Sequence, residues 1–137
     1  MPHRYNPFLM APDSIELVRE FRFEAAHYLP NVPPGHKCRR MHGHSFRGEL
    51  AVRGPVDPRT GWLIDFADLK QAIDPIVNRL DHYLLNEIEG LDNPTSELVA
   101  IWIWNQLIAA LPQLHRVTLE ETCSSRCHYY GPGRSPL

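Results

Sequence analysis

Ten consecutive residues hold most of the side chains that could do chemistry: His36-Lys37-Cys38-Arg39-Arg40-Met41-His42-Gly43-His44-Ser45. Histidines two apart on an extended backbone project from one face, so His42 and His44 can reach a single ion. Gly43 between them carries no side chain, and the backbone there can crowd an ion or a ligand. A third imidazole, His27, ends the upstream segment Phe23-Glu24-Ala25-Ala26-His27. Zinc binds imidazole nitrogen at roughly 2.0–2.1 Å, and catalytic zinc has three protein ligands plus an open position. His27, His42 and His44 suit such a Zn2+ site. A His-x-His pair alone would equally describe two solvated loop imidazoles; the third His, the nearby Cys38 and a later Asp-His pair favour metal. Metal so held is a Lewis acid toward a substrate hydroxyl or carbonyl oxygen.

Two further groups can move protons. Cys38 lies among Lys37, Arg39 and Arg40, and its thiolate would be the proton-accepting form. Asp81 next to His82 can fix the tautomer in which His82 delivers a proton. Glu121 continues the apolar register of its segment, and an ionised carboxylate on a covered face is costly without a partner. That singles out Glu121 over Glu120. A carboxylate can accept two parallel N–H bonds from a guanidine-like edge. His36 reads as an aid to phosphate binding or to Cys38. Cys123 and Cys127 flank a turn at a spacing unlike the common zinc knuckles, and read as buried or idle thiols.

The elements that must position these residues follow from periodicity. From Ile15 the residues Ile15, Leu17, Phe21, Phe23 and Ala25 alternate with Glu16, Glu20, Arg22 and Glu24, with Arg19 as the exception, which predicts a strand with one covered face. The prolines and glycine of 28–37 make a loop. Alternation resumes from Ser45 to Gly54, and His42 and His44 share its apolar parity. Asp65 is a candidate N-cap for a helix over Phe66, Leu69, Ile73, Ile76, Val77 and Leu80. Pro75 should kink it or remove a hydrogen bond. Asp81-His82-Tyr83 falls at or just past its end. A second helix, capped by Thr95 or Ser96, is predicted over Leu98, Ile101, Trp102, Leu107 and Ile108, with Pro112 ending it. Strands over 115–122 and 127–130 complete the order ββααββ: an α+β fold, one four-stranded antiparallel sheet with both helices on one face. The other face, with Glu16, Glu20, Arg22, Arg47, Glu49, Arg53, Arg116 and Glu120, is too charged for a core. Two open edges also need protection, so edge-joined subunits in a ring are expected.

Bulk properties set limits. At 137 residues the chain is one domain by size. The expected division is a mobile arm over 1–13, one domain over 14–131 and a disordered tail over 132–137. A net charge of −2 argues against a nucleic-acid partner. No stretch approaches the roughly 18 apolar residues of a membrane span. Three cysteines without a secretion signal point to a reducing, cytoplasmic setting.

The motifs Phe23-Glu24-Ala25-Ala26-His27, Cys38-x3-His42-Gly43-His44, Leu80-Asp81-His82, Asn93-Pro94-Thr95-Ser96-Glu97 and Glu121-Thr122-Cys123 resemble, in this order, the 6-pyruvoyl-tetrahydropterin synthase family. The resemblance runs from about Glu16 to Gly131. It is closer to the bacterial branch that makes 6-carboxy-tetrahydropterin for queuosine. It implies the tunnelling fold, an oligomeric β-barrel built as trimers stacked into a hexamer. It also implies zinc on His27, His42 and His44, with Cys38 as base and Asp81 with His82 as relay. Glu121 would anchor a pterin beside Thr95 and Ser96. The implied substrate is 7,8-dihydroneopterin triphosphate, which loses triphosphate and, in the carboxy branch, acetaldehyde. The alternatives are the pyruvoyl product or, in another class, a non-catalytic zinc-stabilised binding module.

Overall fold

The computed structural model describes residues 13–133. The expected arm and tail therefore lie outside the described residues, apart from Asp13, Pro132 and Gly133. The sheet has the order β1-β2-β3-β4, with β1 Ser14–His27, β2 His42–Pro55, β3 Leu114–Glu120 and β4 Cys127–Tyr129, all antiparallel. Helix α1 spans Phe66–Leu80 and α2 spans Ser96–Leu107, both between β2 and β3. Short 3-10 turns occupy Lys37–Arg39 and Leu85–Glu87. The element order is the expected ββααββ, in an open sheet. Among the described residues no helix is long and apolar enough to cross a membrane.

Alternation along β1 and β2 places Phe21, Phe23, Phe46, Leu50 and Val52 in one core with Leu69, Ile73, Ile76 and Leu80 of α1. Asp65 caps α1, its carboxylate accepting from Ala67 N at 2.9 Å, and Pro75 stands inside the helix without ending it. Phe66, expected in the apolar stripe, is exposed. The α2 stripe also differs from expectation. Val99, Ala100, Trp102, Ile103, Trp104 and Leu107 are buried, whereas Leu98 and Ile108 are exposed. The run from Leu98 to Trp104 is apolar throughout, so periodicity cannot select its inner face; β3 and β4 packing does.

Phe21 lies directly across from Gly48 in the β1–β2 register. A Cβ on Gly48 would stand 2.2 Å from Phe21 Cζ, so the ring covers the bare backbone of its partner strand. Gly48→Ala should therefore destabilise the chain by about 1–3 kcal/mol through overpacking. Chemical denaturation reads this directly, and an unchanged midpoint would contradict the ring placement.

The charges on the open face largely pair within the chain. Arg47 reaches Glu20 at 2.5 Å and Glu120 at 3.7 Å. Arg116 reaches Glu49 at 3.1 Å and Glu16 at 3.7 Å. The charged face thus does not by itself demand another subunit. Near its C-terminal end, the outer edge of β1 is covered by the segment after α1: Tyr83 O accepts from Ala26 N at 3.1 Å, and Glu24 O accepts from His82 N at 2.5 Å.

Candidate metal centre and the clefts around it

The antiparallel register sets His27 opposite His42 and Ala25 opposite His44. All three imidazoles take the parity of Phe23 and Phe46, so they converge on the core side at the end of the sheet. Their ligand nitrogens lie within 4.8 Å of one another. Ring centroids are 4.6 Å apart for His27–His42, 5.0 Å for His27–His44 and 4.9 Å for His42–His44. Phe46 packs edge-on beneath His27 and His44.

Hydrogen bonds to backbone carbonyls assign the tautomers. A carbonyl only accepts, so His27 Nδ1–H donates to Pro94 O at 2.8 Å and His42 Nδ1–H donates to Arg40 O at 2.7 Å. Each Nε2 then carries a lone pair, and these two nitrogens face each other at 3.0 Å. Facing lone pairs repel unless a cation or an extra proton lies between them. Burial pushes the pKa of His27 down, which disfavours the extra proton. His44 Nε2 is buried; it lies 3.2 Å from Glu121 Oε2 without the alignment of a hydrogen bond and has no other partner. Three converging imidazoles, two locked by carbonyls and one orphaned, fit a divalent metal of the zinc type.

Glu121 falls just past β3, which ends at Glu120 rather than running on to Thr122, and its side chain reaches His44 on the covered side. Its carboxylate is half-buried, and Ser96 Oγ donates to Oε1. Of the two cap candidates for α2, Thr95 is the cap, its hydroxyl accepting from Leu98 N at 3.1 Å. Ser96 is left to orient Glu121.

Asp81 ends α1. Its Oδ1 accepts from Glu24 N at 2.8 Å, and its Oδ2 lies 2.8 Å from His82 Nδ1. The Glu24 amide, and then His82, hold the Asp81 carboxyl below the usual carboxylate range. His82 is an exposed non-glycine residue at φ 64, a conformation held by its bonds to Asp81 and to Glu24 O. With Nδ1–H on Asp81, its Nε2 is free to accept or deliver a proton. His82 and His44 line one cleft of about 470 Å³ together with Glu24, Ser45 and Tyr83.

Cys38 is a free, half-buried thiol in the Lys37–Arg39 turn. Its carbonyl accepts from Leu29 N at 2.7 Å and its amide donates to His36 Nδ1 at 3.1 Å. It joins neither the histidine group nor the lining of the His44–His82 cleft. Glu24 was read from the sequence only as a polar-face residue. It accepts from Ser45 Oγ at 2.6 Å, and both residues line the His44–His82 cleft and a second one reaching Glu121. Cross-strand register could have paired them; nothing in the sequence indicates the Pro94 and Arg40 carbonyls.

The family described as 6-pyruvoyl tetrahydropterin synthase matches residues 16–132. The chain is 48% identical over 127 residues to 6-carboxy-5,6,7,8-tetrahydropterin synthase of Synechocystis sp., covering 88% of this chain and 97% of that protein. It is 34% identical over 133 residues to 6-pyruvoyl tetrahydrobiopterin synthase of Drosophila melanogaster, covering 85% and 79%. The structure of Caenorhabditis elegans 6-pyruvoyl tetrahydropterin synthase superposes with a TM-score of 0.82 at 29% identity, covering 88% of this chain and 98% of that one.

Proposed function

The chain belongs to the 6-pyruvoyl tetrahydropterin synthase family, and we propose that it is a zinc-dependent lyase of the carboxy branch. It converts 7,8-dihydroneopterin triphosphate and one water to 6-carboxy-5,6,7,8-tetrahydropterin, releasing triphosphate and acetaldehyde, as a step toward queuosine. The observation that carries this reading is the pair of Nε2 lone pairs held face to face by the Pro94 and Arg40 carbonyls. The greater identity to the carboxy than to the pyruvoyl relative supports the choice of branch.

His27, His42 and His44 would hold the zinc, which when bound supplies Lewis-acid polarisation of the substrate's side-chain oxygens. The rest falls to the chain's own groups. Cys38 takes a proton as thiolate. His82 moves another through Nε2 while Asp81 holds Nδ1–H. Glu121, oriented by Ser96, accepts N–H bonds from the pterin's amino edge, with Thr95 beside the ring. The working form is a cytoplasmic homohexamer, a dimer of trimers whose sheets close into a barrel, with no nucleic-acid or membrane partner.

Product analysis decides the branch. Mass spectrometry on the zinc-loaded protein with dihydroneopterin triphosphate should find acetaldehyde and the carboxy product in equal amounts. A pyruvoyl product without acetaldehyde would assign the other branch. No turnover by the zinc-loaded protein, together with unfolding when the metal is stripped, would overturn the enzymatic reading in favour of a zinc-stabilised module.

A further inference from the structure

His82 stands at φ 64 and is exposed, so no core packing of its own keeps it in the left-handed region. A non-glycine residue stays there only where its surroundings hold it on both sides. Upstream, Asp81 closes α1, its amide donating to Val77 O at 2.8 Å, and its Oδ1 accepts from Glu24 N. Downstream, Ala26 N donates to Tyr83 O at 3.1 Å, and Leu84 bridges to Ala26. The segment then enters the short Leu85–Glu87 turn, where Asn86 is half-buried.

Asn86 is bound twice to one residue. Its Oδ1 accepts from Tyr28 N at 3.0 Å, and its Nδ2 donates to Tyr28 O at 2.8 Å. This pair fixes the orientation of the amide, because a backbone N–H only donates and a carbonyl only accepts. Two residues facing each other in an antiparallel ladder exchange both bonds in the same way. The Asn86 side chain thus extends the cover on the outer edge of β1 past its last residue, His27. Glu24, Ala26 and Tyr28 all bond to residues 81–86 along that edge.

Tyr28 lies where the catalytic parts meet along the chain. On one side of it is the fully buried His27, whose Nδ1–H is held by Pro94 O. On the other side Leu29 N donates to Cys38 O at 2.7 Å and ties down the turn that carries the thiol. A clamp on Tyr28 therefore sets the His82 segment against both the three imidazoles and Cys38. Among the described residues, the bonds from 81–86 to this edge use two side chains, Asp81 and Asn86. Asp81 belongs to the relay itself; Asn86 does not.

We infer that Asn86 is a positioning residue for the reaction: by clamping Tyr28 it holds His82 in its left-handed conformation and in register with the three histidines. The inference rests on the lyase reading above. Asn86→Ala, tested as the zinc-loaded full chain, should lose kcat by roughly ten- to a hundredfold, the scale of a misplaced catalytic group. KM and zinc content should stay near native. In the His82→Ala background the same substitution should change kcat by no more than about twofold, since it acts through the imidazole. Asn86→Asp keeps the acceptor and loses the donor, so its kcat should fall between the two, and it carries the test if the alanine variant does not fold. Independently of turnover, a crystal structure of Asn86→Ala should show His82 at negative φ with its bond to Asp81 opened. His82 still near φ 64, or an equal fall in kcat in both backgrounds, overturns the clamp and leaves the lyase reading intact. Displacement of His82 in the variant of a protein whose native form turns over no pterin upholds the clamp and overturns the lyase reading.

Discussion

His42→Ala is expected to bring bound zinc far below one per chain while leaving the fold intact. The native geometry shows why this imidazole is the sensitive one. His42 supplies one of the two Nε2 lone pairs that face each other at 3.0 Å, and its removal leaves His27 and His44 as a two-ligand site. Two imidazoles rarely hold a catalytic metal. The loss in affinity should exceed the roughly 10–100-fold that removal of an outer-shell partner costs. His42 is half-exposed at the first residue of β2, away from Phe23, Leu50 and Leu80, so stability should change little. His27→Ala is the poorer test, because His27 is fully buried and its loss also opens a cavity. Zinc is counted by mass spectrometry after dialysis, with circular dichroism as the check on folding. Full zinc occupancy in His42→Ala would remove the metal hypothesis.

The legibility of this site in the sequence varies residue by residue, for physical reasons. The three histidines were readable because strand parity is a local property. His27 shares the register of Phe23, and His42 and His44 that of Phe46, so period two alone places them on one face. What parity cannot supply is tautomer. The Pro94 and Arg40 carbonyls that turn two imidazoles into facing acceptors are backbone groups, and every residue has one. Glu121 was singled out by a register argument; β3 stops one residue earlier, yet the side chain lies toward the covered side, where it meets His44. Its actual partners, Ser96 and His44, come from α2 and β2, a juxtaposition set by tertiary packing. The α2 face was misread because a continuously apolar run has no period to follow. The charged sheet face was read correctly as polar, but its pairing needed the register: Arg116 meets Glu49 and Glu16 across three strands.

Cys38→Ala should lower single-turnover activity by roughly 10²–10⁴-fold, the usual contribution of a positioned acid or base, and should leave zinc in place. The separation of effects follows from the structure. Cys38 is outside the group of three ligand nitrogens, so its loss subtracts nothing from the metal. The turn that carries it is held by backbone and His36, through Leu29 N to Cys38 O and Cys38 N to His36 Nδ1, neither of which uses the thiol. The alanine variant should therefore keep the loop and lose only the sulfur. His82→Ala should give a loss of similar size for a different reason. Its imidazole is fixed by Asp81 and exposed, so removal deletes a proton carrier without opening the core. The strained φ at this position remains in the alanine variant, whereas His82→Gly relieves it. Equal activity in those two variants would assign the loss to the imidazole rather than the backbone. Zinc content and single-turnover rate are measured on all three proteins under the same metal loading. Near-normal turnover in Cys38→Ala, or loss of its zinc together with its activity, would show that Cys38 is not the base.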